Sequence, residues 1–276
     1  MSIIQAIILG LVQGLSEFLP ISSTAHLTLA GKYMGLIDLS NPERWTAFIA
    51  IIQLGTLASV LIYFANDIKE ISKSFITDNF SRKKFSEQSD QSKMGWFVII
   101  GTISIVIIGL GFKKIIEGVL TKNLTVIGCS LIGLAIILFI AERTAKLKRG
   151  VKDLTVKDAF LIGTAQALAL IPGSSRSGTT ITAGLFLGLK RETAARFSFL
   201  LSIPAVLASG LLELKQSFHY INSNDATSIV IATIVSGISG YFCISFLLKY
   251  LVSHNTNVFI IYRILLGAVI LYIVYK

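Results

Sequence analysis

The chain has 276 residues, 53% of them hydrophobic and only 14% charged, with a mean hydropathy of +0.75. A water-soluble domain carries roughly a quarter charged residues on its surface, so this composition excludes one and calls for a bilayer. The net charge of +10 does not indicate nucleic acid, because Lys and Arg fall mainly in the gaps between apolar runs, with no aromatic and basic residues interleaved on a polar face.

In chain order, the Met1-Ser2-Ile3-Ile4 start has no basic leader or small-residue cleavage site, and no removable signal peptide is expected. Residues 3–19 are apolar and run into Pro20, a Ser/Thr cluster and a second short piece ending near Gly31. Runs 45–64, 95–112 and 124–141 each come close to the roughly 20 residues that a helix needs to cross the hydrocarbon core. Residues 159–171 then run into Pro172, a Gly/Ser/Arg cluster and a second piece ending near Leu189. Three further runs, 197–212, 227–251 and 258–275, complete six spans. The two proline-broken regions are different. A 13-residue helix covers only about 20 Å, and proline ends the helix behind it, so both read as re-entrant pairs of half-helices, near 3–31 and 159–189.

The two breaks resemble each other. The first reads Gln13-Gly-Leu-Ser-Glu17-Phe-Leu-Pro20-Ile-Ser22-Ser23-Thr24 and the second Gln166-Ala-Leu-Ala-Leu170-Ile-Pro172-Gly-Ser174-Ser175-Arg176, sharing Gln and then Pro-x-Ser-Ser. Three spans lie between them, an odd number, which turns the second copy upside down relative to the first. Inverted repeats of broken helices place a polar site near the membrane midplane. The expected fold is therefore all-α: a single integral membrane domain over 1–276, a polytopic helical bundle of six spanning helices plus two re-entrant pairs, with inverted repeats 1–141 and 142–276. The gaps 66–94 and 142–158 are rich in Lys and Arg and lie two spans apart, so both read as cytoplasmic loops. Lys113, Lys114 and Lys122 on the intervening outer loop run mildly against that orientation.

Unpaired backbone in lipid is costly, so such breaks persist around a cavity or ligand. The second half-helix is expected to begin directly after each Ser/Thr cluster, where its free N–H groups and positive dipole end suit an anion. Two such ends converging from inverted repeats would suit a diphosphate. In Pro172-Gly173-Ser174-Ser175-Arg176-Ser177-Gly178-Thr179-Thr180, the glycines at 173 and 178 allow close backbone approach. The hydroxyls of Ser174, Ser175, Ser177, Thr179 and Thr180, with Ser22 from the first break, can donate to phosphate oxygens. Arg176 supplies a planar two-pronged grip.

Glu17 is the only acid in the first 37 residues, and a carboxylate inside an apolar helix is expensive unless it is functional or paired. Gln13 lies one turn earlier on the same face, and His26 follows Ser23 by three residues, again on one face. Carboxylate, hydroxyl and imidazole within ten residues are the parts of an activated nucleophile or of general acid–base chemistry. Glu17 can serve as base, as metal ligand or as orienting group. His219, His254, Cys129 and Cys243 are assigned no function. No phosphate-binding Gly-x-x-x-x-Gly-Lys loop occurs, no His pair stands at zinc spacing, and the histidines that other lipid phosphatases place after their Ser motif are missing.

With these two motifs, Gln13 to His26 and Pro172 to Thr180, the sequence resembles the undecaprenyl-diphosphatase family of bacitracin-resistance proteins. Ile52-Gln53-Leu54-Gly55, Phe197-Ser-Phe-Leu-Leu201 and Tyr262-Arg263 support the likeness over essentially the whole chain. The resemblance implies a multi-pass bacterial inner-membrane hydrolase that converts undecaprenyl diphosphate to the monophosphate for cell-wall synthesis. It implies Glu17, Ser23, His26 and Arg176 as the catalytic set, Ser22, Gly173, Ser174, Ser175, Ser177, Gly178 and Thr180 as phosphate ligands, and Gln13 and Gln53 in support. A divalent cation, Mg or Ca, is implied with Glu17 as its ligand, with no organic cofactor. Gln13 stands where the family often has Glu, which removes one acid from that ligand set. Membrane lipid and a second copy of the chain are the implied partners. The residues leave open whether Ser23, His26 or a water is the nucleophile. They also leave open a carrier that moves polyprenyl phosphate through the same site, although a pure carrier has no need of Glu17 beside His26.

Overall fold

The computed structural model describes residues 1–37, 42–111, 123–217 and 223–276, and among these the regular elements are helical. Lys113, Lys114, Lys122 and His219 lie outside the described residues. The helices are α1 (Ile3–Phe18), α2 (Ser23–Tyr33), α3 (Pro42–Tyr63), α4 (Ala65–Phe80), α5 (Asp90–Gly111), α6 (Leu124–Thr144), α7 (Val156–Gln166), α8 (Arg176–Phe186), α9 (Arg191–Ser217), α10 (Ser223–Ser253) and α11 (Asn257–Tyr275). Six of them, α3, α5, α6, α9, α10 and α11, are long and apolar enough to cross a bilayer. Their outward faces carry Ile107, Ile234, Phe242 and Leu265, all exposed, as a lipid-facing wall requires. This is an all-α, multi-pass membrane protein.

The spans close on one another through small residues. Ser236 donates from its Oγ to the Ile52 carbonyl at 2.8 Å, and Ser59 Oγ to the Gly237 carbonyl at 2.7 Å, joining α10 to α3. With lipid tails as apolar as leucine, close backbone approach and such bonds drive helix association. α1 lies in the same packing, with Gly10 and Gly14 facing the α10 backbone too closely for a side chain.

The segment 66–94, expected as a loop, is largely α4. Ile68 and Ile71 pack on the main core, and Phe75 meets the Trp96 ring of α5 at 5.1 Å. This apolar stripe at helical spacing was masked by the lysines on the other face. In the last turn of α4, Asp78 accepts from Lys83 Nζ at 2.7 Å and from the Ser89 amide and hydroxyl at 2.9 Å each. The Lys83 bond, followed by that from the Ser89 amide, brings the Asp78 carboxyl down to about 2.

Both proline breaks are bounded by matching caps. Ser2 and Thr155 each close a capping box at the first helix of their unit, reaching Gln5 and Asp158. The second helices, α2 and α8, are each 11 residues long and are capped by Ser22 and Ser175. Gly35 and Gly188 follow them with φ of 65° and 79°. Every pair, 2 and 155, 23 and 176, 35 and 188, is separated by 153 positions. The cap therefore pairs Ser22 with Ser175, one residue away from the register that Pro-x-Ser-Ser suggests, and the same spacing aligns Gln13 with Gln166. The second unit is anchored further where Arg149 binds Asp158. Burial alone would raise the Asp158 carboxyl, but the bonds from Arg149 and Thr155 hold it below the usual carboxylate range.

Candidate active site at the two breaks

α2 and α8 start inside their Ser/Thr clusters rather than after them. The reason is the cap: Ser22 Oγ accepts from the Ala25 amide, and Ser175 Oγ from the Gly178 amide at 3.2 Å. Both serines hold positive φ, 75° and 68°, a region that costs a residue with a Cβ about 1–2 kcal/mol. The sharp bend brings Ser23 and Arg176 to the first position of their helices. Their amides, and those of Thr24 and Ser177, have no earlier carbonyl within the helix to bond.

Glu17 lies at the centre. Arg176 Nη2 donates to its Oε1 at 3.1 Å, and Ser23 Oγ to its Oε2 at 2.8 Å. Gln13 Nε2 reaches Oε2 at 3.1 Å and Gln53 Nε2 reaches Oε1 at 3.4 Å. Both charged side chains are largely buried, with 6% of Glu17 and 12% of Arg176 exposed. Four donors satisfy the carboxylate, and the ion pair offsets the cost of burying each charge. Thr56 accepts from Gln13 Nε2 at 3.5 Å and holds it in place. Arg176 Nη1 rests on the Ser198 carbonyl at 3.4 Å, while its Nε is buried without a partner.

The other expected residues are distributed unevenly. Ser177 Oγ donates to the Leu19 carbonyl at 2.9 Å, tying the second break to the first. Thr179 and Thr180 bond the Arg176 carbonyl, and Thr180 also meets Ser198 Oγ at 2.6 Å. The hydroxyls of Ser22, Ser175, Ser177 and Thr180 are thus engaged within the protein, whereas Ser174 Oγ is buried and unpartnered. His26 makes no bond to Glu17 or Ser23. Its Nδ1 meets the Ser22 carbonyl at 2.7 Å and its Nε2 meets Tyr262 Oη at 2.6 Å.

In the sequence Arg263 stands out only within the Tyr262-Arg263 pair of the family resemblance, yet it organises the site. It is fully buried and donates to the carbonyls of Pro20 at 3.2 Å, Gly173 at 3.4 Å, Ser174 at 3.0 Å and Leu131 at 3.3 Å. One guanidinium therefore holds both proline turns. A Cβ at Gly178 would lie 2.6 Å from its Nη1, which explains a glycine there. Gly173, at φ 88°, turns the chain where its carbonyl meets Arg263. The available signal was a lone arginine within an apolar run, a pattern that defaults to function.

A resident divalent cation does not fit these residues. Hard cations take several oxygen ligands, but Glu17 is surrounded by donors, and no group of three His, Cys, Asp or Glu stands together among the described residues. Gln13 fits the same picture, since an amide can donate to Glu17 where a second carboxylate would repel it. Cys129 and Cys243 are free thiols, and Cys243 donates to the Leu15 carbonyl.

The chain is similar to known proteins over nearly its whole length. The family model described as bacitracin resistance protein BacA matches residues 6–269. A protein of Syntrophobacter fumaroxidans named undecaprenyl-diphosphatase is 56% identical over all of this chain and 99% of its own length. Proteins of the same name from Chloroherpeton thalassium and Chlorobium limicola are each 52% identical over 98% of this chain and 96% of their own. With a family match over nearly its whole length and a buried Glu17–Ser23–Arg176 constellation at its centre, the chain belongs to the bacitracin resistance protein BacA family.

Proposed function

We propose that this protein hydrolyses undecaprenyl diphosphate to undecaprenyl phosphate and inorganic phosphate, returning the lipid carrier to cell-wall synthesis and opposing bacitracin. The observation that carries this reading is the meeting of Glu17 and Ser23 from one break with Arg176 from the other. Curated relatives that match the whole chain carry the name of that activity.

In this reading the units near 3–31 and 159–189 are re-entrant, inverted copies within 1–141 and 142–276, and their helix N-termini face one diphosphate near the midplane. The common caps and the shared hold of Arg263 on both turns support it. Arg176 and the free amides of α2 and α8 bind the phosphate oxygens and lower the cost of charge on the transferred group. Ser23 Oγ attacks the terminal phosphorus, and its proton passes to Glu17 Oε2, which it already faces at 2.8 Å. The bond to the bridging oxygen breaks and the lipid monophosphate leaves. Water then attacks the phosphoserine and keeps its protons on the released phosphate, while Glu17 returns its proton to Ser23 Oγ as the Ser23–phosphorus bond breaks, which restores both side chains. His26 sits off this line and supplies the proton to the departing group. When the diphosphate draws the Arg176 fork, Glu17 Oε1 is freed from its ion-pair partner while Oε2 stays on Ser23. Were a divalent cation to take part, Glu17 would offer it at most one ligand, and its charge would help to neutralise the phosphate oxygens.

The test is phosphate release from undecaprenyl diphosphate in detergent, with wild type and Glu17→Ala side by side. Release by wild type without any membrane gradient, and its loss in the variant, is the expected result. Activity that survives Glu17→Ala overturns the mechanism, and no release from wild type turns the reading towards a carrier.

A further inference from the structure

The Tyr262–His26 contact has no part in the chemistry just described. His26 begins the second turn of α2 and is partly buried, whereas Tyr262 on α11 is 42% exposed. Their rings lie nearly parallel, 5° apart with centroids at 5.5 Å, and Nε2 meets the phenol oxygen at 2.6 Å.

The Ser22 carbonyl has no hydrogen to give, so the 2.7 Å contact requires a proton on Nδ1. In the neutral ring Nε2 is then an acceptor, and the Tyr262 hydroxyl donates to it. The ring is fixed at both nitrogens, with its Nε2 facing the phenol of a partly exposed residue at the bundle surface. Glu17 on α1, Arg176 on α8 and Arg263 beside Tyr262 are the charged groups gathered at the same turns. None of them hydrogen-bonds the imidazole or the phenol.

Resting on the hydrolase reading above, we propose that Tyr262 is the proton relay that reloads His26 after each turnover. His26 gives the Nε2 proton to the departing phosphate oxygen and becomes the neutral Nδ1–H tautomer. The Tyr262 hydroxyl proton then moves to Nε2 as a hydronium ion protonates the phenol oxygen, which leaves water and returns His26 to its imidazolium form. Tyrosine is regenerated, and one solvent proton replaces the one consumed. The step takes up one solvent proton and needs no other reactant.

Tyr262→Phe removes the relay and keeps the ring. In dilute buffer its kcat should fall ~10- to 100-fold with KM unchanged, at or below the lower end of a full acid–base contribution of about 10²–10⁴. Imidazole buffer should restore the variant and leave wild type unaffected. In a His26→Ala background, Tyr262→Phe should cause no further loss. A wild-type kcat for Tyr262→Phe, a loss that imidazole does not repair, or independent losses in the two backgrounds would overturn the relay. Should Tyr262→Phe fold poorly, 3-fluorotyrosine at 262 preserves the shape and lowers the phenol's proton affinity; an unmoved pH profile of kcat then overturns the relay. Nitrogen NMR of His26 tests the pairing without any activity. An Nδ1–H tautomer whose Nε2 signal shifts on Tyr262→Phe supports the relay, and an unshifted signal refutes it even in an inactive protein, which separates this idea from the hydrolase reading.

Discussion

Arg176 and Glu17, 159 positions apart in sequence, meet at 3.1 Å inside the bundle. Each comes from a different proline break, so this single ion pair requires both breaks to be formed and mutually aligned. Removing one partner of such a buried pair typically costs about 3–5 kcal/mol, because the other charge is left uncompensated.

Arg176→Lys should therefore fail as a conservative change. An ammonium is a point charge and cannot hold Glu17 and the Ser198 carbonyl together, nor copy the bidentate grip on phosphate. The expected loss in kcat/KM is ~10²–10³, the scale of deleting one preorganised transition-state donor. Near-normal steady-state turnover would remove Arg176 from the phosphate site.

Arg263 leads to a structural prediction. Arg263→Leu leaves the carbonyls of Pro20, Gly173 and Ser174 without their donor, at about 1–3 kcal/mol for each buried group so abandoned. A large drop in the detergent melting temperature should accompany loss of activity. Gly178→Ala should lower both as well, since the new Cβ meets the guanidinium. An unshifted melting temperature for both variants would show that the turns hold without this clamp.

The caps separate strain from hydrogen bonding. Ser175→Ala loses the bond to the Gly178 amide and keeps the unfavourable φ, whereas Ser175→Gly loses the bond but relieves the backbone. Alanine at an N-cap costs about 1 kcal/mol and glycine only a few tenths, so Ser175→Gly should melt above Ser175→Ala. The reverse order would show that the positive φ is not retained.

Asp78 provides a pH test outside the spans. Its folded carboxyl lies at about 2, below its ordinary 3.8. A lowered folded value means that the contribution is complete above the unfolded value and is lost as the pH falls through about 2. Hydrogen exchange at the Ser89 amide should accelerate between those two values in wild type. In Asp78→Asn it should already be fast near neutrality, with that step absent.

The spans were legible because a 20-residue apolar run has few alternatives in a bilayer. Glu17, Ser23 and Arg176 were legible because polar groups in such runs need a reason to be there. α4 was not, since its lysines hid the stripe formed by Ile68, Ile71 and Phe75. The exact cap was also hidden: Pro-x-Ser-Ser aligns Ser23 with Ser175, but the bend depends on which serine takes the positive φ. Arg263 and Tyr262 act across more than 200 positions on Pro20 and His26, and no local pattern encodes a partner that distant.

The 153-residue spacing of the caps has a consequence for which end of a substrate does what. Where the first turn carries Glu17, Ser23 and His26, the second carries Leu170, Arg176 and Thr179. Two turns of matching outline are thus filled with unlike chemistry, in the proposed reading one for moving protons and one for gripping charge. A lipid diphosphate, whose inner phosphorus carries the lipid ester and whose outer one is terminal, would then have one productive orientation between them.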